Sequence, residues 1–351
     1  MKLPTFKGGV HPDDGKKLTK DCPVQTYLPK GDLVYPLSQH IGAPAKPLVK
    51  KNDTVLMGQR IAEAGGFVSA NIVSSVSGKV KAIEPRLTVS GAKVESIVIE
   101  NDGNYTPIEG MGQYRDYTKM SKEEIIDAVK DAGIVGLGGA GFPTHVKLNT
   151  KVEYFIVNAA ECEPLIETDK YLCRTFADRI IRTIPQIAEA IGASKKVIAL
   201  KGAYEKEIAA LKDAIREQNS DVEIFELGYF YPAGDEQTLI QQVTGRCVPE
   251  RGLPSDVGCV VDNVGTVLNI ADALEGKAVT EKYLSVVGEV EHPIQLRVPI
   301  GTPVLECVKA AHPTVSDFAL IMGGPMMGKQ LTEQAGMEQA VVTKTTGNIL
   351  V

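Results

Sequence analysis

The sequence predicts a multidomain α/β protein, and three observations lead to this fold class. The 351 residues exceed what one simple core usually holds, so two or three domains are expected. Residues 1–110 contain short apolar runs cut by Gly and Pro and few helix signals, which is typical of β-structure. From about residue 115, helical and strand patterns alternate, which predicts a parallel sheet covered by helices.

The alternating region can be divided into individual elements. Ser121 and Glu124 have capping-box spacing ahead of an apolar helical face, so a helix is expected to begin there. The strands expected next are 154–157, 196–200 and 222–227, and the helices are about 175–191, 204–218 and one opened by residues 229–246. Ligands of parallel sheets bind at the carboxyl ends of the strands, where the polar residues 158–164 follow the first strand.

A glycine-rich loop lies between the first helix and the first strand of this region. Residues 133–148 read GIVGLGGAGFPTHVKL, with Gly136, Gly138, Gly139 and Gly141 within six positions. Glycine permits left-handed turns and lets main-chain N–H groups approach an anion, usually a phosphate. A purely structural turn is the alternative interpretation of such a spacing.

The region after residue 280 reads strand, turn, strand, helix, strand, which suits a small β-grasp module. Thr302 is expected to be the N-cap of its helix, with Pro303 at the first helical position. The last residues, 341–351, contain no pattern of their own and are expected to form a loose tail.

Composition excludes several functional classes. A hydrophobic content of 43% and a net charge of −6 are those of an ordinary globular chain and argue against general nucleic-acid binding. We expect no membrane span, because no apolar run approaches the ~20 residues that a span needs. We also expect no signal peptide, because the start MKLPTFKGG lacks an apolar core. The six cysteines are far apart and none forms CxxC, so reduced cytoplasmic thiols are expected rather than a metal or cluster site.

One segment of the N-terminal region resembles a biotinyl/lipoyl-type barrel-sandwich hybrid. The resemblance covers residues 47–83, with a turn at Asn52 and Asp53 and the later run SVSGKVKAI. Carrier domains of this type present a modifiable lysine at a hairpin tip. The corresponding tip here, residues 64–69, has no lysine, so a structural β module is expected rather than a swinging arm.

Four further segments resemble the NADH-dehydrogenase flavoprotein superfamily, which includes the flavoprotein subunit of respiratory complex I. These segments are GLGGAGFPTHVK (136–147), VNAAECEP (157–164), YPAGDEQTL (231–239) and VVDNVGT (260–266). Residues 6–19 and 36–47, together with the barrel-sandwich segment, are similar instead to the RnfC family of Rnf electron-transport complexes, and that resemblance extends over nearly the whole chain. It implies a barrel-sandwich-hybrid domain (1–112), a Rossmann-like α/β domain (113–278), a soluble-ligand-binding (SLBB) β-grasp domain (279–345) and a tail (346–351).

The resemblance also implies FMN on the glycine loop and NADH stacked on the flavin. The residues carried over are Gly136, Gly138, Gly139 and Gly141 for cofactor phosphates, Lys147 for the FMN phosphate, Asn158 and Glu161 for the flavin, and Glu163 for the nicotinamide-nucleotide ribose. A second loop around the flavin and nicotinamide would supply Tyr231, Gly234, Asp235 and Glu236. Asn263 and Thr266 match a third segment that contacts the flavin. Phe142 would stack near the adenine of NADH, and Arg251 aligns loosely with a lysine of complex I. No metal ligand is implied in this chain.

The sequence also departs from the family pattern. Leu137 and Ala160 stand where complex I has an Arg and an Asp, so a phosphate-side charge and a polar flavin contact are lost. Members of the RnfC family continue into a ferredoxin-like domain with two four-cysteine motifs. The present sequence stops at Val351, so 4Fe–4S clusters are expected only in a domain that it lacks.

The function implied is that of an NADH-binding flavoprotein subunit of an ion-translocating ferredoxin:NAD oxidoreductase. Its partners would be the other subunits of a membrane complex, and it would lie peripherally on the cytoplasmic side. Hydride exchange between NADH and flavin needs no protein acid or base, so no catalytic side chain is expected. Two alternatives remain open: an electron-transfer protein that feeds an amino-acid reductase, and a non-catalytic binding scaffold whose glycine loop is empty.

Overall fold

The computed structural model describes residues 8–113 and 116–351. Phe6 and Lys7, which begin the N-terminal resemblance, lie outside these ranges. The strands are β1 Val24–Thr26, β2 Leu33–Pro36, β3 Lys46–Pro47, β4 Thr54–Val55, β5 Arg60–Glu63, β6 Ile72–Val73, β7 Gly78–Leu87, β8 Lys93–Asn101, β9 Tyr154–Asn158, β10 Lys195–Lys201, β11 Glu223–Leu227, β12 Cys259–Asn263, β13 Glu281–Val287, β14 Ile294–Pro299, β15 Leu320–Met322, β16 Lys329–Leu331 and β17 Asn348–Leu350. The α-helices are α1 Lys122–Asp131, α2 Thr144–Leu148, α3 Thr168–Thr175, α4 Ala177–Ala190, α5 Glu205–Gln218, α6 Glu236–Thr244, α7 Val264–Leu274, α8 Val304–Ala310 and α9 Gln334–Gln339.

The N-terminal region is a β module of two small sheets. One has the order β2-β8-β7-β4 and the other β3-β5-β6. Several of its strands contain runs of buried residues, and Leu33, Tyr35, Ile61 and Ile97 are fully buried in one hydrophobic core. The tip between β5 and β6, which has no lysine in its sequence, exposes Phe67.

The central region is a parallel α/β layer with the strand order β11-β10-β9-β12. All three predicted strands and the predicted helices are confirmed. The capping box is also present, since the Glu124 N–H donates to Ser121 Oγ (3.2 Å) and the Ser121 N–H to Glu124 Oε2 (2.7 Å). Sequence reasoning missed α3, because no residue beside its start provides a side-chain cap. The carboxylate of Glu161, several residues upstream, accepts hydrogen bonds from its first turn instead.

The C-terminal sheet has six strands in the order β1-β14-β13-β17-β15-β16. The predicted strand, turn, strand, helix, strand order is confirmed by β13, β14, α8 and β15. The N-cap prediction is wrong, because Pro303 occupies that position. Thr302 is buried instead, and its hydroxyl donates to the Pro299 carbonyl at 2.7 Å.

The expectation of a loose tail is also wrong. Strand β17 lies between β13, to which it is parallel, and β15, to which it is antiparallel. Only three residues pair, so the segment is too short for a recognisable alternation in sequence. The sheet therefore extends beyond residue 345, and the tail predicted for 346–351 is part of it.

The N-terminal segment connects the three regions. Strand β1 pairs in parallel with β14 at the edge of the C-terminal sheet. Before it, Val10 forms an antiparallel bridge with Tyr231, and the Leu165 N–H donates to the Asp14 carbonyl at 2.7 Å. The first residues described thus pack against the α/β layer and the C-terminal sheet rather than belonging only to the N-terminal β module.

Lys344 joins the same three regions from within the core. It is 2% exposed, and its ammonium donates to the carbonyl oxygens of Asn71 in the β module and Gly133 before the glycine loop. It forms no ion pair within the described part of the chain, and burial lowers the pKa of Lys344 to about 7. This residue places the start of the glycine loop relative to both β regions.

We expect the contribution of Lys344 to stability to depend on pH. The pKa of an unfolded lysine is about 10.4, so the pKa of Lys344 is lower in the folded state and protonation favours unfolding. The free energy of unfolding therefore decreases as the pH falls from about 10 to 7. Between pH 7 and pH 9, the free energy of unfolding of the wild type should rise by about 2 kcal/mol relative to Lys344→Met. Urea denaturation at both pH values measures this difference. A constant difference, like the one expected for the exposed control Lys93→Met, would contradict it.

Candidate functional site

The three regions surround a cleft of about 1570 Å³. The N-terminal β module contributes Gln39 and His40, and the α/β layer contributes the glycine loop and the ends of its strands. The C-terminal sheet contributes residues around Thr345 and Asn348. A cleft between domains that is lined by several convergent polar groups is the usual form of a cofactor site.

The tip of the glycine loop exposes main-chain donors to this cleft. The Gly136 N–H donates to the Phe142 carbonyl at 2.8 Å, which closes the loop at its base. Gly138 has φ 74°, a left-handed conformation that favours glycine. The N–H groups of residues 138–140 donate no hydrogen bond to the described part of the chain. A Cβ added at Gly139 would meet no heavy atom within 4 Å, so the backbone faces open space.

The loop rests on the N-terminus of α7. The Leu137 N–H donates to Thr266 Oγ1 at 2.9 Å, and Thr266 is fully buried. A Cβ at Gly138 would lie 3.3 Å from Asn263 Nδ2, so the two residues are in close approach. Asn263 is the N-cap of α7 and accepts from the Gly265 N–H at 2.8 Å. The positive end of this helix dipole therefore adds to the free N–H groups of the loop.

The end of β9, where the sequence predicts polar ligand-binding residues, meets the end of β12, a strand that was not predicted. Asn158 and Asn263 are register partners on these neighbouring strands. The Asn158 amide donates to the Gly234 carbonyl at 2.8 Å, and the Asn263 amide donates to Asp169 Oδ2 at 2.7 Å. Both amides are thus fixed by neighbouring elements at the floor of the cleft.

A buried acidic pair lies beside these amides. Glu161 accepts from the N–H groups of Asp169 (2.7 Å) and Lys170 (3.1 Å), and Lys16 is 3.9 Å away. Burial raises the pKa of Glu161 to about 7, and burial also raises the pKa of Asp169. Two neighbouring carboxyls out of water disfavour full ionisation of both, so this wall of the cleft can carry a proton near neutral pH.

Lys147, the expected phosphate partner, is already engaged by two acids. Its ammonium donates to the Val261 carbonyl at 2.8 Å and lies 3.4 Å from Asp262 and 3.6 Å from Glu236. Burial lowers the pKa of Lys147, but these carboxylates outweigh burial, so the pKa lies above its ordinary value. Lys147 is therefore charged, but its charge is largely balanced within the protein.

Glu163 contacts the C-terminal region. Its Oε2 accepts from the Met326 N–H at 3.0 Å, and a Cβ at Gly324 would overlap the carboxylate. The other oxygen, Oε1, is buried and accepts no hydrogen bond within the described chain. Burial raises the pKa of Glu163. The structure thus leaves one unsatisfied acceptor at the cleft wall.

The second predicted loop packs closely against the first strand end. A Cβ at Gly234 would lie 3.0 Å from Cys162 Sγ, and the Gly234 N–H donates to that sulfur. Asp235 is the N-cap of α6 and accepts from the Thr238 N–H at 2.9 Å. Asp235 therefore also has the structural role that its position at a helix start suggests.

The cleft brings together most of the predicted cofactor residues. Fourteen of them line it: Gly136, Gly138, Gly139, Gly141, Phe142, Lys147, Asn158, Glu161, Glu163, Tyr231, Gly234, Asp235, Glu236 and Asn263. Thr266 lies behind the glycine loop and holds it in place rather than lining the cleft. Arg251 is exposed, with φ 60°, and is not brought to the cleft.

Some cleft residues were not foreseen from the sequence. Gln39 and His40 belong to the segment 36–47, for which the family resemblance implied no role. Lys282 on β13 carried no signal at all, because a lysine in a strand normally indicates a solvent-facing position.

The donor set fits a ligand that carries phosphate. Free main-chain N–H groups and the α7 N-terminus converge on the glycine loop, which is the usual arrangement for binding a phosphate. The residues described include no group of three or more His, Cys, Asp or Glu side chains suited to a metal ion. No helix among them is long and apolar enough to cross a membrane.

Two family models match the chain. Residues 4–104 match the barrel sandwich hybrid domain of RnfC, and residues 129–272 match the Nuo51 FMN-binding domain. The expected barrel-sandwich and FMN-binding regions are thereby confirmed.

Curated relatives cover most of the chain. The C subunit of the Na+-translocating ferredoxin:NAD+ oxidoreductase complex of Acetobacterium woodii is 40% identical over 335 residues, 93% of this chain and 75% of that protein. The C subunit of the proton-translocating complex of Clostridium ljungdahlii is 40% identical over 334 residues, 93% of this chain and 72% of that protein. The cobalamin reductase PduS of Salmonella typhimurium is 45% identical over 234 residues, 66% of this chain and 50% of that protein.

A solved structure shares the fold over most of the chain. The NAD+-reducing NiFe hydrogenase in its H2-reduced state superposes with a TM-score of 0.58 and 26% identity. The match covers 70% of this chain and 49% of the hydrogenase chain.

Proposed function

Because the chain belongs to the RnfC family of ion-translocating ferredoxin:NAD+ oxidoreductase complexes, we propose that its cleft binds FMN at the glycine loop and NAD(H) beside it. In this proposal the protein exchanges hydride between NAD(H) and FMN and passes electrons towards iron–sulfur clusters outside residues 1–351. It would do so as a peripheral subunit on the cytoplasmic side of a membrane complex.

The observation that carries the proposal is the set of free donors at residues 138–140, located at the N-terminus of α7. A phosphate accepts hydrogen bonds from such groups without needing a side chain. The match of residues 129–272 to an FMN-binding family model supports FMN as the ligand at this position.

The remaining residues of the cleft have binding and orienting roles in this proposal. FMN supplies the redox chemistry when bound, and the protein supplies orientation and local charge. The unsatisfied Glu163 Oε1 would accept a hydrogen bond from a ribose hydroxyl of NAD(H). The Asn158 amide, fixed by the Gly234 carbonyl, would hold the floor against which a flat ring packs. The C-terminal sheet, a β-grasp domain in this proposal, would cover the site and exclude water.

A second candidate function is the reduction of a corrinoid. It is favoured by the 45% identity to a cobalamin reductase over 234 residues, which is higher than the identity to the Rnf subunits. The same FMN and NAD(H) sites would serve this reaction, and only the electron acceptor would differ.

Anaerobic mixing of FMN-loaded protein with NADH tests the proposed function. We expect the visible absorption band of the oxidised flavin to disappear, because hydride transfer needs only two stacked rings. An artificial acceptor should then be reduced with turnover. A flavin spectrum that does not change under excess NADH would contradict an oxidoreductase function. Replacing the artificial acceptor with cobalamin distinguishes the second candidate, since only a corrinoid reductase should reduce it at a comparable rate.

A further inference from the structure

Seven cationic side chains line the cleft, although the proposed phosphate site uses only the main-chain N–H groups of the glycine loop. They are Arg86, Lys147, Arg179, Lys277, Lys282, Arg297 and Lys329. Five of them have carboxylate partners within the protein. Within the described residues, Lys282 and Lys329 form no ion pair. Lys329 is exposed, so solvent ions can balance its charge, whereas the charge of Lys282 is largely shielded from solvent.

Lys282 is buried without a hydrogen-bond partner. It is 9% exposed, and its ammonium donates no hydrogen bond to the residues that the structure describes. Asp169 is the carboxyl that acts on it, but Asp169 Oδ2 already accepts from the Asn263 amide at 2.7 Å. Burial lowers the pKa of Lys282 to about 8, opposed by Asp169. Lys282 Nζ is not fully enclosed by protein, so the unpaired ammonium of this largely buried side chain is open to the cleft. An ammonium held largely out of bulk water without a partner is costly, so its position in the cleft wall points to an anionic ligand.

Lys282 is linked to the glycine loop through Asn263 and Asp169. Gly138 is in close approach to Asn263, Asn263 donates to Asp169, and Asp169 acts electrostatically on Lys282. The other lysine near the loop, Lys147, has its charge balanced by two carboxylates. Among the cations that line the cleft, Lys282 is therefore the largely buried one that forms no ion pair with the residues that the structure describes.

We propose that Lys282, supplied by the C-terminal sheet, is the positive charge that binds a phosphate group of the nucleotide in the cleft. The proposal rests on the proposed function and assigns to it a residue from outside the FMN-binding domain. The phosphate belongs either to FMN or to the diphosphate of NAD(H). In both cases the phosphate site is complete only when the C-terminal sheet packs against the α/β layer.

The test compares Lys282→Met with the wild type, with Lys282→Arg as the charge-retaining variant and Lys309→Met, an exposed residue of the C-terminal region outside the cleft, as the control. Fluorescence titrations of apoprotein with FMN, riboflavin and NADH give the affinities. We expect Lys282→Met to weaken binding of one phosphate-bearing ligand by about tenfold or more, since hydrogen bonds to charged groups are worth about 1.5–3 kcal/mol. Lys282→Arg should retain most of the affinity, and Lys309→Met should change it by less than about threefold because its exposed charge is screened.

Riboflavin separates a phosphate contact from a structural role. If Lys282→Met weakens FMN but not riboflavin, the residue binds the FMN phosphate; if it weakens NADH alone, it binds the dinucleotide. Equal losses for FMN and riboflavin, or affinities for FMN and NADH that do not change, would overturn the proposal.

Thermal stabilisation by inorganic pyrophosphate tests the anion site without requiring flavin binding. We expect pyrophosphate to raise the melting temperature of the wild type but not of Lys282→Met. A wild type that binds neither FMN nor NADH, yet retains this Lys282-dependent shift, would overturn the proposed function and support the anion site. If the shift is absent as well, both are overturned.

Discussion

The variant Gly139→Val is expected to abolish FMN binding while the fold stays intact. Gly139 does not have a left-handed φ, and a Cβ added there would contact no heavy atom within 4 Å. The valine side chain therefore fills only space that a ligand would occupy. Because the phosphate must approach the main chain of the loop, we expect an affinity loss of at least about 100-fold, or about 2.7 kcal/mol. Titration with FMN, monitored by flavin fluorescence, measures it.

A matched control separates this effect from a general cost of replacing glycine. Gly31 also has an ordinary φ, its nearest heavy atom to an added Cβ is 3.7 Å away, and it lies outside the cleft. Gly31→Val should bind FMN like the wild type. Gly138 is a poorer test, because its φ of 74° would strain any larger residue. Wild-type FMN affinity in a folded Gly139→Val protein would mean that the flavin binds elsewhere.

The features predictable from sequence are those encoded locally. Periods of hydrophobicity gave the order of strands and helices in the α/β layer, and the capping box gave the start of α1. Parallel topology placed Asn158 at a strand end facing a ligand, whereas Asn263 came from the family resemblance, because β12 was not predicted as a strand. The four spaced segments of the family resemblance gave most of the cleft residues for the same reason, because each lies at a strand end or a helix start.

The features that were missed depend on contacts between distant parts of the chain. Strand β17 is specified by the gap between β13 and β15 rather than by its own three residues. Helix α3 is capped by Glu161, which no local pattern links to its start. Lysines such as Lys282 and Lys344 normally indicate solvent-facing positions, and only the packing of three regions buries them. Lys147 was recognised, but its two carboxylate partners were not, because Asp262 and Glu236 come from other elements.

These contacts also explain why the domain limits were harder to predict than the site. Strand β1 belongs to the C-terminal sheet although it precedes the N-terminal β module in sequence. Glu163, from the α/β layer, accepts a hydrogen bond from Met326 of the C-terminal region. The cleft is thus built between regions, and a substitution on one of them can alter a ligand contact made by another.

The variant Glu163→Gln is expected to weaken NADH binding while leaving FMN binding nearly unchanged. The replacement keeps the shape of the side chain, and its amide oxygen can still accept from the Met326 N–H. It replaces the unsatisfied acceptor Oε1 with an NH2 donor, which cannot accept from a ribose hydroxyl. Losing such a buried hydrogen bond costs about 1–3 kcal/mol, so NADH affinity should fall by about 10- to 100-fold.

Titration of FMN-loaded protein with NAD+ or NADH measures the effect, with FMN affinity determined separately on apoprotein. Glu153→Gln removes the same charge from an exposed residue outside the cleft whose carboxylate is paired with Arg246, and serves as the control. It should leave NADH affinity within about threefold of the wild type, because exposed ion pairs contribute little. Equal loss of FMN and NADH in Glu163→Gln would instead assign Glu163 to the packing of the C-terminal region. That outcome is separable, because Glu163→Ala, which also removes the Met326 contact, should then lower the melting temperature as well as both affinities.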